Sequence, residues 1–165
     1  VKRQLIVLGL AVATFMVAAE PPTAQEPVRM THHAKGIFSV KVTPQPPDDS
    51  AGGPFGRLFL DKTFRGDLEG TSKGQMLGTG SPDDGWGGYV ALERVTGTLS
   101  GRRGTFELQH NGTMRNGVAT MIVNVVPGSG TGELAGLEGR FTIIIEGKRH
   151  SYEFEYTLGE GARKD

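Results

Sequence analysis

The fold class this sequence predicts is all-β: eight antiparallel strands closed into a barrel or split into a sandwich. Three observations predict it. Between Ala34 and Leu158 the chain passes through eight short runs in which apolar and polar residues alternate with a period of two, the signature of strands with one face inward and one toward water. Twenty-six glycines and nine prolines among 165 residues are too many for a helical bundle and suit a protein rich in turns. Pairs such as Asn116-Gly117 fall between successive runs, where a hairpin needs residues that tolerate positive φ.

Taken in order, the chain starts with Lys2 and Arg3, an apolar stretch from Leu5 to Ala19, and then Glu20, Pro21 and Pro22. A basic start, a short apolar segment and small residues before a break make the pattern of a secretory signal. Val17 and Ala19 would occupy the two small-residue positions, so residues 1–19 are expected to be removed and the mature chain to start near Glu20. The expected location is periplasmic or secreted, with no stable membrane anchor after processing. Initiation at Met30 is the alternative and would make the protein cytoplasmic. Loss of Lys2 and Arg3 would leave two fewer basic than acidic residues. Residues 20–33 are polar, contain proline and lack periodicity, and are expected to form a disordered lead-in.

The barrel domain is expected over 34–159, followed by a polar tail, 160–165. Phe38, Val40 and Val42 share a face of the first strand, and the proline-rich 44–54 is a loop. In the second strand Leu58, Leu60, Phe64 and Leu68 share a face on which Lys62 also falls, with a reversal expected near 66–68. Residues 81–88, including the only tryptophan, Trp86, are expected to be a second long loop. From Tyr89 to Leu99 both faces are mixed, so alternation leaves open whether Glu93 or Arg94 points inward. Residues 100–104 predict a hairpin into a strand carrying Phe106, Leu108 and His110. Ala119, Met121, Val123 and Val125 follow, and Pro127 ends that strand. The glycine-rich 128–139 leads to Phe141, Ile143 and Ile145, and the last strand alternates His150, Tyr152, Phe154, Tyr156 and Leu158 with polar residues.

Composition excludes several chemistries. The formal net charge is zero, with 18 basic and 18 acidic residues interspersed, so no basic stripe tracks a phosphate backbone and nucleic acid is not an expected partner. Absence of cysteine excludes disulfides, zinc–thiolate sites, iron–sulfur clusters and a cysteine nucleophile. The glycine-rich 128–139 lacks the Gly-Lys-Ser/Thr ending of a phosphate loop, and no serine sits in a nucleophile elbow. His32 and His33 are adjacent and cannot chelate from one strand face, so neither a metal nor a cofactor is expected.

Several stretches together resemble a known family: 30–36 (Met-Thr-His-His-Ala-Lys-Gly), Leu60-Asp61-Lys62 with 66–69 (Gly-Asp-Leu-Glu), the run from Gly88 to Leu99, Leu108-Gln109-His110, 130–137 and 150–156. They are similar to the bacterial domain-of-unknown-function 3224 family, over roughly Thr31 to Leu158. The resemblance implies an allene oxide cyclase-like barrel of eight strands. It implies no catalytic residue, because the family defines none and one barrel hosts many functions.

Were the second, fourth, fifth and eighth strands to share one interior, Lys62, Glu93, His110, Tyr152 and Tyr156 would meet there: a cation, a carboxylate, an imidazole and two phenols inside an apolar wall. Such a set orients a small apolar ligand with a polar head, and this is the expected function. Two other readings stand beside it. One is a cyclase or isomerase that steers a reactive small molecule, with Glu93 or Tyr152 at the ligand. The other is a structural, homo-oligomeric module with a solid core, in which case outward apolar residues such as Ile122, Val126 and Ile144 would form the contact.

Overall fold

The computed structural model describes residues 29–46, 53 and 55–159; the signal, the tail and most of the proline-rich loop expected from the sequence lie outside them. Eight strands run in chain order: β1 (Thr31–Pro44), β2 (Gly56–Gly66), β3 (Leu68–Ser81), β4 (Trp86–Leu99), β5 (Arg102–Arg115), β6 (Val118–Val125), β7 (Glu138–Glu146) and β8 (Arg149–Thr157). Each pairs antiparallel with its sequence neighbours, and β1 pairs with β8, so the sheet closes into a barrel and not a sandwich. Closure removes both sheet edges, the principal aggregation liability of an antiparallel sheet.

Local sequence sets each turn. Ser100-Gly101 and Asn116-Gly117 are two-residue hairpin turns with positive φ at both positions (47° and 84°; 52° and 77°), the geometry whose twist matches that of the flanking strands. The β2–β3 reversal falls at Asp67, inside the expected span. Asp67 ties three elements together there: its carboxylate accepts the Lys35 N–H at 2.8 Å, its own N–H reaches the Lys35 carbonyl, and its carbonyl accepts the Ser100 N–H at 2.7 Å.

Three boundaries differ from expectation. β1 starts at Thr31, so His32 and His33 belong to a strand and not to the lead-in; pairing with β8, invisible in local sequence, extends it, and the His32 ring stacks on Tyr156. The expected loop over 81–88 contracts to one 3-10 turn, Pro82–Asp84, because Trp86, Gly87 and Gly88 pair with β3. β7 starts at Glu138, ahead of its first inward aromatic residue, Phe141.

The two ends of the barrel are built differently. At one end the connection from β6 to β7 folds back over the opening. It makes a 3-10 turn at Gly132–Leu134, bonds to β5 through Thr131 N–H and the Thr105 carbonyl at 2.9 Å, and inserts Leu134 and Leu137, both 0% exposed. Leu68, Leu99, Phe106, Phe154 and Tyr156 pack there, with Phe106 stacked on Phe154. At the other end β3–β4, β5–β6 and β7–β8 are joined by tight turns, and β1 and β2 by the longer proline-rich connection, most of which lies outside the described residues. Val42 and Ile145 stand at inward-facing positions, opposite Leu60 and His150 in register, yet are 46% and 56% exposed. Leu58, Met76, Tyr89, Met121 and Ile143, also inward, are only partly buried. The result is a cup: a sealed apolar base and an accessible apolar mouth.

Candidate functional site

Four consecutive strands each contribute one polar side chain to the middle of the cup: Lys62 from β2, Ser72 from β3, Glu93 from β4 and His110 from β5, all buried. Lys62 and Ser72 are direct partners across β2 and β3. Glu93 faces Gly74 in register and reaches past it. A Cβ on Gly74 would come to 2.6 Å from the Leu92 carbonyl and 3.0 Å from Glu93 Cβ, so the missing side chain is what lets β3 and β4 close up around this carboxylate. Glu93, and not Arg94, is the inward residue. Arg94 lies outside and pairs with Glu107 on the next strand.

Glu93 organises the cluster. Ser72 Oγ donates to Glu93 Oε1 at 2.6 Å, and Lys62 Nζ lies 2.7 Å from Oε2. Burying either ion alone would carry a large desolvation cost, and the pair with its added serine bond is what makes burial tolerable. The Lys62 ammonium also sits 5.1 Å from the centroid of the Phe38 ring, a cation–π distance.

His110 is the odd member. Its Nε2 is 3.5 Å from Glu93 Oε2, too far for a well-formed hydrogen bond, and it has no other partner. Burial and, second, the Lys62 charge lower its pKa to about 4, against the opposing pull of Glu93. The imidazole is therefore neutral at neutral pH, and its approach to Glu93 is a contact and not an ion pair. Glu93 Oε2 has no ideally angled hydrogen bond either, but the ammonium at 2.7 Å meets its need. The buried atom left without a partner is His110 Nε2.

Three of the five residues singled out in the sequence thus converge. The two tyrosines face inward, but toward the base. Tyr152 Oη accepts the Leu68 N–H at 2.9 Å, and Tyr156 Oη bonds Ser100 Oγ at 3.2 Å, so both hydroxyls are engaged in holding the base together. Burial raises the Tyr152 pKa. Ser72 carries no sequence signal: it lies in Gly70-Thr71-Ser72-Lys73-Gly74, which has no apolar alternation to mark its face, and only the register with Lys62 reveals it. Tyr89, at the mouth, is a second addition; burial and then the Glu93 charge raise its phenol pKa, so the field of the cluster reaches the opening. Among the described residues no group of three or more histidines and carboxylates is placed to hold a metal ion.

A separate concave groove of about 1120 Å³ runs over the outer faces of β1 to β5. Exposed Phe59, Leu77, Val90 and Leu92 line it together with the ion pairs Lys73–Asp61 and Arg94–Glu107. Glu93 and His110 also border it, although their side chains are turned inward. Of the outward apolar residues expected to mark a contact, Ile122 is exposed, whereas Val126 and Ile144 are partly buried.

Known proteins with this pattern add no chemistry. No curated protein matches the chain. The crystal structure of a protein of unknown function from Shewanella oneidensis MR-1, itself of the DUF3224 family, is similar to it at 43% sequence identity, over 79% of this chain and 99% of that one, with a TM-score of 0.71. Residues 34–156, nearly the whole barrel, match the family described as Protein of unknown function (DUF3224), and the chain belongs to that family.

Proposed function

We propose that this barrel binds a small, largely apolar molecule whose polar head meets the cluster of Lys62, Glu93, His110 and Ser72. One observation supports the reading: half-exposed inward apolar residues at the mouth stand above a buried polar cluster in which His110 Nε2 has no hydrogen-bond partner. Buried polar atoms are nearly always satisfied by protein, water or ligand, and a polar cluster with an unpaired hydrogen-bonding nitrogen beneath apolar walls suits the orientation of a bound molecule. Tyr152 and Tyr156 support the base of the cup in this reading and do not touch the ligand.

Native mass spectrometry of the protein purified from its own source tests the proposal. A bound small molecule, released on denaturation, is the expected result. Empty protein that also takes up no apolar probe would sink it. The denatured mass from the same sample addresses the proposed export, which rests on the signal pattern of residues 1–19: a chain starting near Glu20 supports it, and one starting at Met30 overturns it.

A cyclase or isomerase reading is favoured by one feature, the neutral imidazole of His110 against the Glu93 carboxylate, a pairing able to take up and return a proton. Turnover of the bound molecule that survives both Glu93→Gln and His110→Gln would rule this pair out as the proton-transfer group.

A further inference from the structure

We infer that the head group this site takes is an uncharged hydroxyl, as in an aliphatic alcohol, and not a carboxylate, phosphate or amine. The inference rests on the binding proposal above and specifies its ligand. Lys62 and Glu93 lie 2.7 Å apart and neutralise each other, with Ser72 completing the carboxylate. A carboxylate head brought to His110 Nε2 would come within a few ångströms of Glu93 Oε2, itself 3.5 Å from that nitrogen. Lys62 lies as close but is already committed to Glu93, so the added charge would be buried without a net counter-charge and its desolvation would go uncompensated. An ammonium head would likewise be buried without a net counter-charge, since Glu93 is already paired with Lys62. No further charged side chain among the described residues is buried inward to compensate either one.

A neutral imidazole presents Nε2 either as a donor or as an acceptor, depending on the tautomer. A hydroxyl serves both cases: it accepts from Nε2–H while donating to Glu93 Oε2, or it donates to a bare Nε2 while accepting from the Lys62 ammonium. A ketone serves only the first. The apolar side chains between mouth and cluster, Val42, Leu58, Met76, Met121, Ile143 and Ile145, suit the alkyl part of such a molecule.

The test compares probes of one length, octan-1-ol, octanoate, octylamine and octane, on the whole protein at pH 7. Binding is followed by the methyl resonances of Val42, Leu58 and Ile145 and by the ring ¹⁵N resonances of His110. Octan-1-ol is expected to move the His110 Nε2 resonance and to bind roughly tenfold more tightly than octane, the order one buried hydrogen bond is worth. Octanoate and octylamine should bind more weakly than the alcohol, and His110→Phe should abolish the preference for octan-1-ol over octane. Octanoate or octylamine binding as tightly as octan-1-ol would overturn the head-group inference while leaving the cup a binding site. Octane binding as tightly would do the same, with a buried water then the partner of Nε2. No response at the mouth methyls to any probe, octane included, would overturn the binding proposal itself.

Discussion

The sealed base and the open mouth of this barrel are made from the same strands with the same alternation, yet they solve burial in opposite ways. In the base most inward side chains are aliphatic or aromatic and buried, and the two tyrosine hydroxyls among them both have partners. Toward the mouth, inward positions are half-exposed, the cluster beneath them is ionic, and one of its nitrogens is unpaired. One connection accounts for the filled base. Residues between β6 and β7 fold back and deliver Leu134 and Leu137 into the base, whereas at the mouth the Asn116-Gly117 turn joins β5 and β6 in two residues, too few to reach inward. Apolar packing is concentrated in the base, and a buried polar cluster lies beneath the half-exposed mouth, where the proposed ligand would enter. This is the usual division between scaffold and site.

The sharpest way to break that comparison is at Glu93. Glu93→Ala leaves Lys62 buried without its counter-charge and is expected to destabilise the fold by about 3–5 kcal/mol, read as a lower urea midpoint at pH 7. The double variant Lys62→Met with Glu93→Leu removes both charges and should return stability to within about 1–2 kcal/mol of the original, or exceed it. A small loss on Glu93→Ala would mean that water reaches Lys62 freely, and the contrast between dry base and ionic floor would fail. The base should respond through packing instead: Leu137→Ala is expected to cost about 2–5 kcal/mol and to leave the resonances of the mouth methyls in place.

That contrast also explains how much was legible beforehand. The strands and their closure follow from alternation and glycine placement, both local properties, so the eight runs map onto the eight strands. The depth at which an inward residue sits is not local. It depends on how far each strand is staggered against the next when the barrel closes, and a residue's parity carries no information about that. Tyr152 and Tyr156 therefore share a face with the cluster but lie toward the base. Glu93 and Arg94 show the same limit on a smaller scale. Both faces of their strand are mixed, and the choice is made by partners on other strands, Lys62 and Ser72 inside and Glu107 outside. Ser72 was hidden because its neighbours are glycine or polar, so its strand has no readable inner face.

Acid should find the polar floor before it finds the base. An exposed histidine takes up a proton near pH 6.5, but His110 in the folded barrel resists protonation down to about pH 4. Between those values the unfolded chain binds the proton first. The stability His110 contributes is therefore complete above pH 6.5 and is lost as pH falls toward 4, by about 3 kcal/mol. His110→Gln removes the titration, so the stability gap between the variant and the original chain should shift by that amount between pH 7 and pH 4. A gap that stays constant would mean that the imidazole is solvated in the folded state.

The smallest expected effect is the most direct comparison of the two ends. Ile145 and Leu137 are both aliphatic, and truncating either to alanine removes a comparable volume. Leu137 is fully buried beneath the β6–β7 connection, so its loss leaves a cavity that the surrounding aromatic residues cannot collapse to fill. Ile145 points inward but is 56% exposed, and water already covers much of what the truncation would uncover. Ile145→Ala is expected to change stability by no more than about 0.5 kcal/mol, the range of an ordinary surface substitution. The two variants measured side by side by urea denaturation turn the cup into a number. If Ile145→Ala costs as much as Leu137→Ala, then the mouth is packed as tightly as the base in solution, and no molecule enters by that end.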